Sequence, residues 1–182
     1  MTLADDERTR AAWPHAFGAR FVVRAGRQLH LALEIRNTGA SAFTFEAALH
    51  TYLAVSDVRR IRLHGLENTG YLDKVGGTVR KREGAAPITF TGETDRVYPD
   101  TTSACTVEDP DWKRRIVVAK SGSRSTVVWN PWSAKAGTMD DLGGAAWTGM
   151  VCVETANVAA DARALAPLAC HVLEAIIAVE LD

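Results

Sequence analysis

Met150-Val-Cys-Val-Glu154-Thr-Ala-Asn157 is an apolar, β-branched run that carries one acidic side chain. β-Branched residues suit a pleated, half-buried surface, so the run reads as a strand. With period-two alternation, Met150, Cys152 and Glu154 share one face while Val151, Val153 and Thr155 share the other. Glu154 is expected to leave the core where this strand ends. A carboxylate there is costly to desolvate, so it either reaches water or is held by donors and kept for a purpose.

Working outward, the same strand chemistry recurs along the chain. Arg20–Arg24 and Gln28–Asn37 alternate across Ala25-Gly26 as a hairpin, with Asn37-Thr-Gly39 as the next turn. Phe43–Val55 is aromatic and β-branched, Ser56-Asp57 interrupts it, and Val58–Leu63 alternates as a second strand. Pro87–Phe90 and Thr94–Tyr98 read as short extended segments; Thr102–Val107 and Arg114–Lys120 form a pair around Glu108–Asp111. Ser125–Trp129 ends at Asn130-Pro-Trp132, because proline removes a ladder donor and restricts the residue before it. Ser133–Gly144 is expected to be a loop with a helical turn around Met139-Asp-Asp141. His171–Leu181 contains alanines, yet Val172, Ile176, Ile177 and Val179 favour a strand. Many short strands at turn-punctuated spacing describe an all-β antiparallel sandwich or barrel. One domain over residues 1–182 is expected, with residues 1–11 as a tail or short helix.

Charged residues make up 24% of the sequence and the net charge is −1, so no single-sign field points to nucleic acid or an anionic membrane. No apolar run approaches a bilayer-crossing length, and the polar start does not resemble a signal peptide. A cytoplasmic protein with a small ligand is the expectation. Cys105, Cys152 and Cys170 are odd in number and lack a Cys-x-x-Cys pair, so their spacing indicates neither a disulfide framework nor a zinc site. The basic run Arg80-Lys-Arg82 lies between glycines and reads as a solvated loop or edge.

Three places carry unusual chemistry. One is Glu154. Another is His50 in Ala47-Ala-Leu-His50-Thr-Tyr52, an imidazole in the middle of a strand otherwise built for burial. The last is Asp95-Arg96, an adjacent acid and base that point to opposite faces of an extended segment. Asp95 with Glu154 would make a glycosidase carboxylate pair; His50 with Glu154 would make a general acid and base. Spacing alone does not choose between them. Tyr98, Trp129 and Trp132 offer rings that could stack on a sugar or pack as core.

Ala48-Leu-His-Thr-Tyr52, Gly65-Leu66 with Tyr71-Leu-Asp-Lys74, Thr94-Asp-Arg-Val-Tyr98, Val128-Trp-Asn-Pro-Trp132 with Lys135-Ala136 and Met139-Asp140, and Met150-Val-Cys-Val-Glu154 with Ala156-Asn157 stand in that order. Together they resemble the glucose-6-phosphate 1-epimerases, the hexose-6-phosphate branch of the aldose 1-epimerase (galactose mutarotase-like) superfamily. Trp13-Pro-His-Ala-Phe17 and Asn37-Thr-Gly39 extend the resemblance from about Ala12 to the C-terminus. It implies an antiparallel β-sandwich of the galactose mutarotase-like type, Glu154 as catalytic base, His50 as catalytic acid and Asp95 as a sugar-hydroxyl ligand, with no cofactor or metal. The implied reaction interconverts α and β anomers of D-glucose 6-phosphate or a related hexose 6-phosphate.

Members of that branch carry several strands ahead of the Trp-Pro-His segment that this sequence does not contain. Lys74, Arg96 and Lys135 are then the local candidates for an anion contact. Open strand edges would favour self-association, giving a homo-oligomer. A non-catalytic sugar-binding or interaction module is the alternative reading.

Overall fold

The computed structural model describes residues 1–181. At the N-terminus, β1 (Thr2–Ala4) precedes a short helix, α1 (Glu7–Ala12), which Asp6 caps by accepting the Thr9 N–H at 2.8 Å. The segment expected as a tail or short helix therefore supplies both a helix and a strand. β2 (Phe17–Ala25) and β3 (Leu29–Asn37) form the expected hairpin, with Phe17 opposite Asn37 and Ala25 opposite Leu29.

The stretch read as one strand over Phe43–Val55 is three short ones: β4 (Phe43–Phe45), β5 (Ala47–Leu49) and β6 (Tyr52–Ala54). His50 is therefore not in mid-strand but in the break between β5 and β6. Val58–Leu63 is corrected as well. Val58–Arg60 is a turn fastened by the Asp57 side chain, which accepts the Arg59 N–H at 2.9 Å, and pairing begins only at β7 (Arg62–His64). Its alternation misleads because Val58 and Ile61 are buried ahead of the strand, Val58 by the turn itself, while only Leu63 is buried by a strand pleat.

β8 (Gly70–Asp73) and β9 (Val79–Arg82) follow, and β9 is an exposed edge strand, as expected of the basic run. Within Pro87–Phe90 only Ile88 pairs, bridging Leu63 through two 2.9 Å hydrogen bonds. β10 (Thr94–Pro99), β11 (Cys105–Asp109), β12 (Arg114–Ser121) and β13 (Ser125–Asn130) match the sequence reading within a few residues. The helical turn in the next loop comes earlier than expected, as α2 (Trp132–Ala136). There the Asn130 side chain accepts the Trp132 N–H at 2.9 Å and turns the chain out of the sheet. β14 (Met150–Asn157), β15 (Arg163–Leu165) and β16 (Cys170–Leu181) complete the chain, and the last run is a strand as its branched residues require.

Two antiparallel sheets face each other. The first runs β1-β2-β3-β16-β12-β11-β7; the second runs β5-β14-β13-β10-β8-β9, with β6 also on β14; β15 and β4 form a separate ribbon. Val107, Ile116, Val118 and Ile177 of the first sheet meet Tyr98, Val128, Val151 and Val153 of the second in the core. The architecture is the expected antiparallel sandwich. β14 has neighbours on both sides, and every one of its residues is buried. Glu154 thus lies in the strand interior and not at its end, 5% exposed, because the strand runs on through Asn157.

Candidate active site

The outer face of the second sheet is where the chemistry gathers. Val153 and Thr155 turn from that face, so Glu154, between them, turns onto it. Register then decides its neighbours. Glu154 stands opposite Val127, which stands opposite Val97, itself opposite Leu72. One step along, Asp95 stands opposite Trp129, and Trp129 opposite Cys152. On the other side of β14, Leu49 faces Thr155 and Tyr52 faces Cys152, so the register carried across the β5–β6 break sets His50 against Glu154.

These rows, apart from the buried Cys152, floor a cavity of about 420 Å³ lined by Glu46, His50, Lys74, Asp95, Trp129 and Glu154 among others. That volume lies in the range of small-molecule sites. His50 Nε2 lies 3.4 Å from Glu154 Oε1. The imidazole is stacked on Tyr52, with centroids 4.8 Å apart, and meets the edge of Trp129 at 5.7 Å. It is thereby aimed at the carboxylate while its side chain stays 48% exposed toward the cavity.

Burial pushes the Glu154 carboxyl up to about 7; the Asp95 charge adds to the rise, and Lys74 partly offsets it. Burial also lowers His50, against a smaller opposing hydrogen bond. Burial thus works against the charged form of both groups, raising the carboxyl and lowering the imidazole. Such a pair can accept a proton at one oxygen of a bound molecule and deliver one at another.

Asp95 and Arg96 point to opposite faces of β10, as the sequence predicts. Asp95 lines the cavity. Arg96 donates to Glu83 at 2.9 Å beneath the sheet and lies over the Tyr71 ring at 5.0 Å; Tyr98 donates to the same carboxylate at 2.6 Å. Arg96 therefore does not line the cavity. Lys135 is likewise outside it, donating to Glu93 at 3.2 Å. Of the three candidate anion contacts, Lys74 alone lines the cavity; its backbone N–H donates to the Asp95 carbonyl at 2.8 Å. Trp129 is a wall of the site, whereas Tyr98 is buried in the core and Trp132 packs on Trp147 at 4.5 Å.

Sequence reasoning passed over Tyr52 and Glu46. Tyr52 is two residues from His50, the spacing that puts both on one strand face. Glu46, a lone carboxylate in an apolar run, lines the cavity and accepts the Ala159 N–H at 2.6 Å. His50, Cys152 and Glu154 are also a group of potential metal ligands whose donor atoms lie within 4.8 Å of one another.

The sandwich and the sequence that builds it have counterparts among known proteins. The solved structure of a protein named "putative mutarotase" from Salmonella typhimurium superposes with a TM-score of 0.90 at 28% identity, covering 100% of this chain and 59% of that one. A galactose mutarotase-like protein from Lactobacillus casei shares the fold, with a TM-score of 0.77 at 12% identity, covering 98% of this chain and 68% of that one. A protein named "putative glucose-6-phosphate 1-epimerase" from Cenchrus ciliaris is 39% identical over 162 residues, 87% of this chain and 49% of that one. A protein of the same name from Escherichia coli K12 is 29% identical over 174 residues, 96% of this chain and 58% of that one. The chain thus spans about half the length of these two relatives. The aldose 1-epimerase family pattern runs through residues 1–169, and the chain belongs to the aldose 1-epimerase family.

Proposed function

We propose that the chain is a hexose mutarotase that interconverts α and β anomers of a hexose 6-phosphate, with Glu154 as base and His50 as acid. The observation that carries this reading is the 3.4 Å approach of His50 to Glu154 on the floor of a sugar-sized cavity that also holds Asp95. In the forward step the Glu154 carboxylate takes the proton of the anomeric hydroxyl. The C1–O1 bond becomes a carbonyl, the C1–O5 bond breaks with its electrons to the ring oxygen, and His50 protonates that oxygen. Rotation about C1–C2 presents the other carbonyl face. On reclosure His50 takes the O5 proton back as O5 attacks C1, and Glu154 returns its own to O1. Asp95 accepts hydrogen bonds from ring hydroxyls and holds the pyranose over the pair. Trp129 presents the edge of a wall against which the ring can pack.

The pair's closeness suits this cycle. Each half-reaction moves one proton into the pair and one out, so Glu⁻/HisH⁺ becomes GluH/His with no net uptake. A carboxyl raised to about 7 is a stronger base than an ordinary carboxylate, and a lowered imidazole is a stronger acid when protonated, so both transfers are helped. The phosphate preference is supported by the names of the relatives and by Lys74 at the cavity wall.

Anomer-exchange NMR or polarimetry on the purified chain tests the reading. Glu154→Gln and His50→Asn are each expected to lower kcat/KM by at least about 10²-fold, the usual cost of losing a general acid or base. Activity that survives both substitutions overturns the assigned roles. The coverage of only about half of each relative's length favours one second reading, a sugar-binding module without catalysis. Saturable sugar binding with no acceleration of anomer exchange would select it.

A further inference from the structure

We propose that His50 Nε2, Cys152 Sγ and the Glu154 carboxylate form a binding site for a zinc-class divalent ion, and that the ion reversibly shuts the sugar cavity. Three features of the fold assemble the site. Cys152 and Glu154 are two residues apart on β14 and share its outer face, while the register on either side of the β5–β6 break brings His50 across to them. The three donor atoms lie within 4.8 Å of one another, and it is the one such group of three found among the described residues. Two of the three come from one strand, and the third stands in a break where no ladder bond fixes the backbone.

The spacing is close to what tetrahedral zinc requires. Zn–S of about 2.3 Å with Zn–N and Zn–O of about 2.0–2.2 Å sets neighbouring ligand atoms roughly 3.3–3.6 Å apart. The His50–Glu154 contact is already 3.4 Å. The thiol needs to close by about 1 Å, within the reach of small rotations of three side chains. One thiolate, one imidazole and one carboxylate select zinc-class ions over magnesium or calcium, which favour all-oxygen ligands. Three protein ligands leave a fourth position; His50 and Glu154 line the cavity while Cys152 is buried beneath them beside Trp129, so that position faces the cavity, where water or a sugar hydroxyl would occupy it.

On binding, the Cys152 S–H bond breaks, its proton leaves to solvent, and the sulfur electron pair enters the metal–sulfur bond. Nothing is oxidised or reduced. The ion then occupies the lone pairs that would take the anomeric proton and fills the nitrogen that would deliver one to the ring oxygen. Inhibition is therefore expected to follow from occupancy. Only this inhibitory consequence rests on the mutarotase reading; the binding site does not. The sequence conceals the site because its ligands come from segments about a hundred residues apart, with no paired-cysteine spacing.

Cobalt(II) is the probe. After chelator treatment, the whole chain titrated with Co²⁺ is expected to show a thiolate-to-cobalt charge-transfer band and tetrahedral visible bands at one equivalent, both removed by Zn²⁺. Cys152→Ala is expected to abolish the charge-transfer band, with Cys105 and Cys170 still present. Cys152→Ser, closer in volume, repeats the test should the alanine variant fold poorly. In the anomer-exchange assay, Zn²⁺ should inhibit the wild type and chelator should restore it. Cys152→Ala should keep the metal-free rate and need at least ~10-fold more Zn²⁺ for half-inhibition. A cobalt complex without charge transfer, or a band unchanged in both cysteine variants, overturns the site. A Cys152-dependent band in a chain that never exchanges anomers upholds the site and instead sinks the mutarotase reading.

Discussion

Glu154 is the residue whose acidity sets both what the site can do and what it costs the fold. Its carboxyl is held at about 7 by burial and by Asp95, with Lys74 pulling the other way, and His50 is lowered. The proposed mechanism needs one proton on the pair, so kcat/KM is expected to be bell-shaped, with its alkaline limb near pH 7 and its acid limb below the ordinary histidine value. Lys74→Met removes the opposing charge and should move the alkaline limb to higher pH; the pH–rate profile of that variant is the check. The same variant should lose about tenfold in preference for hexose 6-phosphate over free hexose if Lys74 meets the phosphate. Stability runs in the opposite sense. A carboxyl raised from 4.5 unfolded to about 7 folded favours the fold fully below pH 4.5 and loses that contribution as pH rises through 7. Glu154→Gln should therefore become more stable than wild type with rising pH, by about 3 kcal/mol between pH 4.5 and about pH 8. Urea midpoints at both pH values measure it; a difference independent of pH counts against the buried-carboxylate account. The residue types of this site were legible in the sequence: a lone acid in an apolar strand, a lone imidazole in a stretch otherwise built for burial, an acid and base on opposite faces of β10. Their meeting was not, because His50 and Glu154 are brought together by strand register between segments about a hundred residues apart.

β14 organises the elements as Glu154 organises the site. Its two ends are fastened by side chains rather than by ladder bonds alone: Asn130 donates to the Met150 carbonyl at 2.9 Å, and Asn157 donates to the Gly122 carbonyl at 2.9 Å and to Asp161 at 2.7 Å. Gly122 therefore links the β12–β13 turn to the end of β14. Its φ is +68°, and a Cβ there would meet the Val172 carbonyl oxygen at 1.8 Å. Gly122→Ala must both strain the backbone and displace a carbonyl of β16, so a loss of at least about 2 kcal/mol is expected, lowering Tm by roughly 4–8 °C. A thermal melt unchanged within a degree or so would show that the turn does not carry this load. Strands with a clean pleat and a real turn, such as β2 and β3, were legible from alternation, β13 from the proline that ends it and β16 from its β-branched residues. Elements whose burial comes from something other than a pleat were not. The Asp57-fastened turn buries Val58 as completely as a strand would, and β14, covered on both faces, hides an acid where alternation puts a strand end.

At the scale of the whole molecule the two sheets are not matched in extent. Phe21, Leu31 and Leu33 on β2 and β3 point inward with Leu173 and Ala175, yet they are only partly covered, and Val23 in the same row is 53% exposed. Beside them lies the β5–β6 edge, which pairs with β14 on one side and with no strand on the other among the described residues. The opposite edge of that sheet differs. β9 presents Arg80, Lys81 and Arg82, charges that discourage edge-to-edge pairing. An open edge next to an apolar strip is the arrangement a second copy can satisfy, adding its own strand to β5–β6 while burying Phe21, Val23 and Leu31. We therefore expect the 182-residue chain to self-associate through this side. Light scattering across a wide concentration range should show a mass rising above that of one chain. Val23→Lys, at the exposed end of the strip, should return it toward the monomer without unfolding it, since surface changes there cost little. His50 borders the same strip, so association should also change the anomer-exchange rate per chain as concentration rises. A wild-type chain that stays monomeric at every concentration, with a constant rate per chain, would show that the strip is tolerated in water and that the site works without a neighbour.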